Sequence, residues 1–146
     1  MELKTVITQI TKAEHAARIF RTLLETETTI DRDKEHFWAI GLTTNNTVKF
    51  VELVSLGGLN SCHVHPREVF RLAISRGVHS LITGHNHPSG NLDPSEPDKH
   101  ITQTLSEAGK IIGIRLLDHL IISDDAFFSI ITSARGSFAK LEKSFS

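Results

Sequence analysis

The segment that most restricts how this chain can fold runs from Val78 to Asp98. A β-prone run, Val78 to Thr83, delivers the chain into Gly84-His85-Asn86-His87-Pro88-Ser89-Gly90, and a polar, proline-containing loop leads on to Ser95-Glu96-Pro97-Asp98. Side chains at i and i+2 of a strand point to the same side, so His85 and His87 present both imidazoles toward one point. Asp98 lies eleven residues beyond His87, where the Pro-Ser-Gly loop reverses the chain and a helix begins. Two imidazoles and one carboxylate make a catalytic zinc set, because three protein ligands leave the fourth tetrahedral position for water. Water held there ionises near neutral pH, which places a nucleophile and a Lewis acid together. The same residues also read as a helix start: Ser95 as N-cap, Pro97 in the first turn, and Asp98 returning a bond to the cap. The two readings are compatible, since a helix N-terminus is a rigid place from which to aim a carboxylate and a hydroxyl.

Elsewhere the pattern predicts a first strand over Leu3 to Ile10 and a helix over about 12 to 26, opened by a Thr11/Glu14 capping box. A charged surface connection over Thr26 to Lys34 follows. Phe37 to Leu42 and Val48 to Leu56 read as a hairpin around Thr44-Asn45-Asn46. A helix runs from Pro66 to about Arg76 and stops at Gly77; a second runs over about 96 to 112 and stops at Gly113. Strands near Arg115–Ser123 and Phe127–Ile131 precede a loosely held tail, 136–146. The order βαββαβαββ argues for an α/β three-layer sandwich, a mixed central sheet flanked by helices. At 146 residues a single domain, 1–146, is expected, with its core at about 10–133.

Charge and cysteine content narrow the function. With 16 Lys+Arg against 17 Asp+Glu the net charge is −1, so the field that holds a phosphate backbone is missing and nucleic acid is not supported as the main partner. A single cysteine, Cys62, excludes an internal disulfide and four-cysteine metal sites. The N-terminus shows no signal-like pattern and no apolar run approaches the ~18 residues of a bilayer span, so the expectation is a cytoplasmic protein without a membrane partner.

Taken together, His85-Asn86-His87-Pro88-Ser89-Gly90 with Ser95 and Asp98 resembles the JAMM (MPN-type) metalloprotease motif, in the form carried by the bacterial RadC family. Glu35-His36-Phe37-Trp38, Val64-His65-Pro66-Arg67-Glu68-Val69-Phe70 and Leu116-Leu117-Asp118-His119-Leu120-Ile121-Ile122 extend the similarity over about residues 10 to 133. The resemblance implies a JAMM/MPN fold, cytidine deaminase-like in architecture, with one zinc ion per chain held by His85, His87 and Asp98. It also implies that Ser95 donates to the oxyanion and that an upstream glutamate, matched by Glu35, serves as general base. On the residues alone Glu52, Glu68 and Asp118 are equally available as bases. Gly84 differs from the family pattern, in which an apolar residue is expected before the first histidine.

Nine histidines are more than such a site uses. A second His-x-His-Pro, His63 to Pro66 beside Cys62, lacks the Ser-x-x-Asp that follows the first; there His65 is read as orienting the next helix or supporting the site. His119 is a candidate for the surroundings of the site or for a packed strand position, and His15, His36, His79 and His100 read as surface or boundary residues. The resulting expectation is a zinc-dependent hydrolase of peptide or isopeptide bonds with a peptide or protein substrate. The alternative is a RadC-type repair-associated or mobile-element accessory module that acts by binding; the helix-hairpin-helix region that RadC proteins carry is not found in this sequence.

Overall fold

The computed structural model describes residues 8–57 and 64–138. Their elements are, in order, α1 (Ala13–Glu25), α2 (Thr29–Arg32), β1 (His36–Leu42), β2 (Val48–Leu56), α3 (Pro66–Arg76), β3 (Ser80–Asn86), α4 (Glu96–Ile112), β4 (Arg115–Ile122), β5 (Ala126–Ser129) and β6 (Ala134–Ser137). The strands form one mixed sheet in the order β2-β1-β3-β4-β5-β6. Only β3 and β4 run parallel, joined through α4, as a parallel pair requires a crossover; the other neighbours are antiparallel.

Alternation along the central strands sorts their side chains onto two faces, each covered by helices. On one face Trp38, Ile40, Leu42, Ile82, Leu120 and Ile122 pack against Ala16, Ile19, Phe20 and Leu24 of α1. On the other, Phe37, Leu81 and Leu116 pack against Val69, Phe70 and Ala73 of α3 and Leu105 of α4. This is the expected three-layer α/β sandwich. Both faces of β1 and β3 are buried at every position; β1 accordingly reads as a nearly continuous apolar run, whereas β3 also buries the polar Ser80, Thr83, His85 and Asn86.

Punctuation by proline and glycine sets the helix ends. α3 starts on Pro66 and ends at Gly77 (φ 63°); α4 carries Pro97 in its first turn and ends at Gly113 (φ 87°). Both glycines take the left-handed conformation that closes a helix at little cost.

Four expectations need correction. Thr11 and Glu14 do not form a capping box: Lys12 is the N-cap of α1 without a side-chain bond, and the Thr11 N–H instead donates to His15 Nδ1 at 3.1 Å. The connection Thr26–Lys34 contains the one-turn α2, opened by Thr28, whose side chain accepts from Asp31 N. Strand β3 continues to Asn86, so His85 lies within the sheet. A sixth strand, β6, occupies positions assigned to a connection and the start of a tail; it pairs with β5 from Ala126↔Ser137 to Ser129↔Ala134. Most of the expected first strand falls outside the described residues, though Gln9 bridges Thr47.

Candidate metal centre

The site forms at the carboxyl end of β3, where the parallel β3/β4 pair meets the start of β1. His85 projects on the α3/α4 face, and its register partner on β1 is Phe37, whose ring lies 6.4 Å away at an interplanar angle of 4°. His87 follows the strand, and its N–H continues the ladder to Ile122 O at 3.0 Å. His85 Nε2 and His87 Nε2 are 2.9 Å apart. Asp98 reaches both from the first turn of α4, with Oδ1 3.2 Å from His85 Nε2 and Oδ2 3.0 Å from His87 Nε2. Among the described residues these three are the one His/Cys/Asp/Glu group whose ligand atoms converge in this way.

Asp98 is aimed by the helix start. Ser95 Oγ accepts from Asp98 N at 3.1 Å, and Ser95 N donates to Asp98 Oδ2 at 2.9 Å, a complete capping box. The helix N-terminus also favours the anionic carboxylate. The helix-start and ligand readings of Ser95-Glu96-Pro97-Asp98 therefore hold together geometrically.

Both imidazoles are fixed at the ring nitrogen that faces away from the cluster. His87 Nδ1 lies 2.6 Å from Asn91 O, which can only accept, so Nδ1 carries a proton and Nε2 is the ring nitrogen turned inward. His85 Nδ1 lies 2.6 Å from His119 Nε2, and His119 Nδ1 lies 2.6 Å from Thr83 Oγ1. For a neutral His85 to offer a lone pair at Nε2, its Nδ1–H must donate to His119, which then donates to Thr83. His119 is fully buried, and burial, reinforced by His85, keeps it neutral by pulling its pKa well below the ordinary imidazole value. Metal-binding histidines are commonly held by such outer partners.

Charge is balanced within the cluster. Although burial opposes ionisation, hydrogen bonds from His85 and His87 hold the Asp98 carboxyl far below the usual carboxylate range. For His87 burial again works against charge, but the Asp98 bond, the Asn91 carbonyl, the Asp98 charge and finally Glu35 outweigh it and raise the pKa. These bonds need protons on the two Nε2 atoms; with those protons removed, two nitrogen lone pairs and a carboxylate oxygen converge on one point, a donor set that fits a divalent ion.

Glu35 immediately precedes β1 and lines a cavity of about 210 Å³ with Phe37, Val64, His85, Asp98 and Ile101. The structure thus brings His85, His87, Asp98 and Glu35 to one place, with Ser95 at the helix cap beside them. The competing glutamate Glu52 and Asp118 stand elsewhere. Asp118 accepts from Ser129 Oγ and His119 N and borders a different cavity with Ile10, Ile82 and Leu120, on the α1 face. Glu52, on β2, faces Arg71 at 4.0 Å. Glu68 belongs to the first turn of α3.

The other histidines divide differently from expectation. His36 is 1% exposed and stacked on Trp38, not a surface residue. His100 is exposed but borders the cavity beside Asp98, and His79 is exposed on the turn before β3. His65 is the N-cap of α3, acting through its carbonyl, which accepts from Glu68 N and Val69 N; Cys62 and His63 lie outside the described residues. His119 was legible as a histidine inside the apolar run Leu116–Ile122, where a buried imidazole needs partners. Asn86 carried no comparable signal.

The family described as "RadC-like JAB domain" matches residues 10–136. A UPF0758 protein of Desulforudis audaxviator is 56% identical over 98 residues, covering 67% of this chain and 43% of the relative. UPF0758 proteins of Desulforamulus reducens and Chlorobium chlorochromatii are 53% and 46% identical, covering 68% of this chain in each case and 44% and 45% of the relative. This chain thus spans less than half the length of the curated relatives it matches. Given a match that runs from before α1 into β6 and takes in every residue of the His/His/Asp cluster, the chain belongs to the RadC-like JAB domain family.

Proposed function

We propose that the chain is a metal-dependent hydrolase of peptide or isopeptide bonds, with one zinc ion held by His85, His87 and Asp98. The observation that carries this reading is the convergence of two outward-anchored imidazoles and a helix-capped carboxylate, 2.9 to 3.2 Å from one another, on a cavity that Glu35 also lines. A bound divalent ion supplies polarisation of the scissile carbonyl and activation of water.

The protein's own groups have separate tasks. Glu35 takes a proton on its carboxylate as water attacks and returns it to the leaving nitrogen. Ser95 Oγ, already accepting from Asp98 N, has its hydroxyl proton to donate to the substrate oxygen as negative charge develops. Phe37, Val64 and Ile101 give the cavity an apolar wall that keeps bulk water from the reacting atoms. We read the partner as a peptide or protein, and the setting as the cytoplasm; no described helix is long and apolar enough to cross a membrane.

Metal analysis of the purified protein tests the reading. About one zinc per chain is expected, with its loss in Asp98→Ala. Glu35→Gln should keep the metal and lose turnover of labelled peptide and isopeptide probes. A wild-type protein that takes up no metal, or a Glu35→Gln protein as active as wild type, sinks the corresponding part.

A further inference from the structure

Between the two candidate ligands sits a buried amide that coordinates nothing. Asn86 alternates to the α1 face, away from His85 and His87, and is 1% exposed. Its bonds all go to the backbone around Glu35. Oδ1 accepts from His36 N at 2.6 Å, and Nδ2 donates to Lys34 O at 3.0 Å and to Arg32 O at 3.4 Å. The residues immediately before and after Glu35 are therefore gripped by one side chain.

The grip falls where the sheet stops helping. The β1/β3 ladder ends at Phe37↔His85, so His36 N–H would face Asn86 without a backbone partner there. Asn86 supplies that partner from its side chain and extends its hold two residues further out along the chain. From the β2 side, Gly57 N donates to Glu35 O at 2.8 Å. Glu35 is thus tethered through both flanking peptides and its own carbonyl, while its side chain faces the cavity. If the only task were to join β1 to β3, an ordinary strand pair would do it without burying a primary amide, whose polar atoms are costly unless satisfied.

We propose that Asn86 is the positioning residue for Glu35: one carboxamide, carried on the strand that supplies His85, sets the distance between the general base and the metal cluster. This rests on the hydrolase reading above. The strand that aims the first ligand then also aims the base, so the two cannot drift apart independently. Misplacement by about 1 Å can cost about 100-fold in turnover. That is the loss expected for Asn86→Ala on a labelled peptide probe, in kcat and with KM little changed.

The deciding test does not depend on turnover. The purified full chain is loaded with cobalt, and the pH midpoint of its visible spectrum is measured for wild type, Glu35→Gln, Asn86→Ala and the double variant. A carboxylate held close to the ion raises the pH at which protons are lost there, so Glu35→Gln should lower the midpoint. Asn86→Ala should lower it too, with cobalt content unchanged, and should add nothing in the Glu35→Gln background. Asn86→Leu serves if the alanine variant does not fold: it fills the space, makes neither the bond to His36 N nor that to Lys34 O, adds no charge near the ion, and should shift the midpoint the same way. A shift with Glu35→Gln but none with either Asn86 variant, or full additivity in the double variant, overturns the positioning role alone. A wild-type protein that takes up no cobalt, or a midpoint that Glu35→Gln leaves unmoved, overturns the hydrolase reading on which it rests.

Discussion

Replacing His119 with leucine separates what holds the metal cluster from what holds the fold. The imidazole is fully buried, and its two nitrogens each stand 2.6 Å from a partner, His85 Nδ1 on one side and Thr83 Oγ1 on the other. Leucine fills much of the space but pairs with neither. Each buried polar group left unsatisfied costs about 1–3 kcal/mol, so the metal-free protein should lose about 2–6 kcal/mol. The site suffers separately, because His85 loses the acceptor that holds its proton on Nδ1 and its lone pair on Nε2. Loss of such an outer partner typically weakens metal binding about 10- to 100-fold, or about 1.4 to 2.7 kcal/mol. Urea denaturation in the presence of a chelator reads the first quantity, and chelator competition on the folded protein reads the second. Folded His119→Leu that binds zinc as tightly as wild type refutes the argument that His119 sets the tautomer of His85.

Other perturbations probe single features. Ser95→Ala should lose about 0.5–2 kcal/mol of stability with the helix cap, whereas Ser95→Gly should lose only a few tenths; both should lose about 100- to 1000-fold in kcat if the hydroxyl serves the oxyanion. Equal turnover in all three proteins removes Ser95 from the reaction. Burial raises the Glu52 pKa against the pull of Arg71, so the folded chain holds this proton more tightly than the unfolded one. The resulting stability is present below about pH 4.5 and lost as pH rises through the raised value; Glu52→Gln should therefore show a higher urea midpoint than wild type at pH 7, and a lower midpoint contradicts this. A Cβ at Gly84 would stand 2.6 Å from the Phe20 ring and 3.2 Å from Leu120 O. Gly84→Ala should cost about 1–3 kcal/mol by overpacking, part of it restored by Phe20→Leu in the same denaturation assay.

Gly84 also shows where the sequence stopped being readable. The Phe20 ring of α1 comes so close to β3 at that point that it leaves no room for a Cβ, and no local pattern around Gly84 announces a ring from sixty-four residues earlier. The helices α3 and α4 could be delimited closely because proline, glycine and the Ser95/Asp98 box act within one turn. The Thr11/Glu14 pair has the same spacing as Ser95/Asp98 yet caps nothing, since the helix starts one residue later and His15 takes the Thr11 N–H. Strand β6 was invisible because Ala134-Arg135-Gly136-Ser137 lies at an exposed edge and has no apolar alternation; pairing with β5 alone defines it. For the site, spacing singled out His85, His87 and Asp98, but it could not choose among four acids. Glu35 was separated from Asp118 by the opposite faces of a sheet, and from Glu52 and Glu68 by a cavity that Glu35 lines and they do not.

The shared use of Asp98 has a consequence for how a lineage of this family can lose the His/His/Asp cluster. Its carboxylate closes the capping box of a seventeen-residue helix as well as facing the two imidazoles, so a lineage with no further use for the metal would still lose stability by discarding it. His85 and His87 carry no such second duty at a helix end. Relatives that do without a metal should therefore shed a histidine first and keep Ser-x-x-Asp, and an intact aspartate in a relative reports a well-begun helix before it reports a metal site.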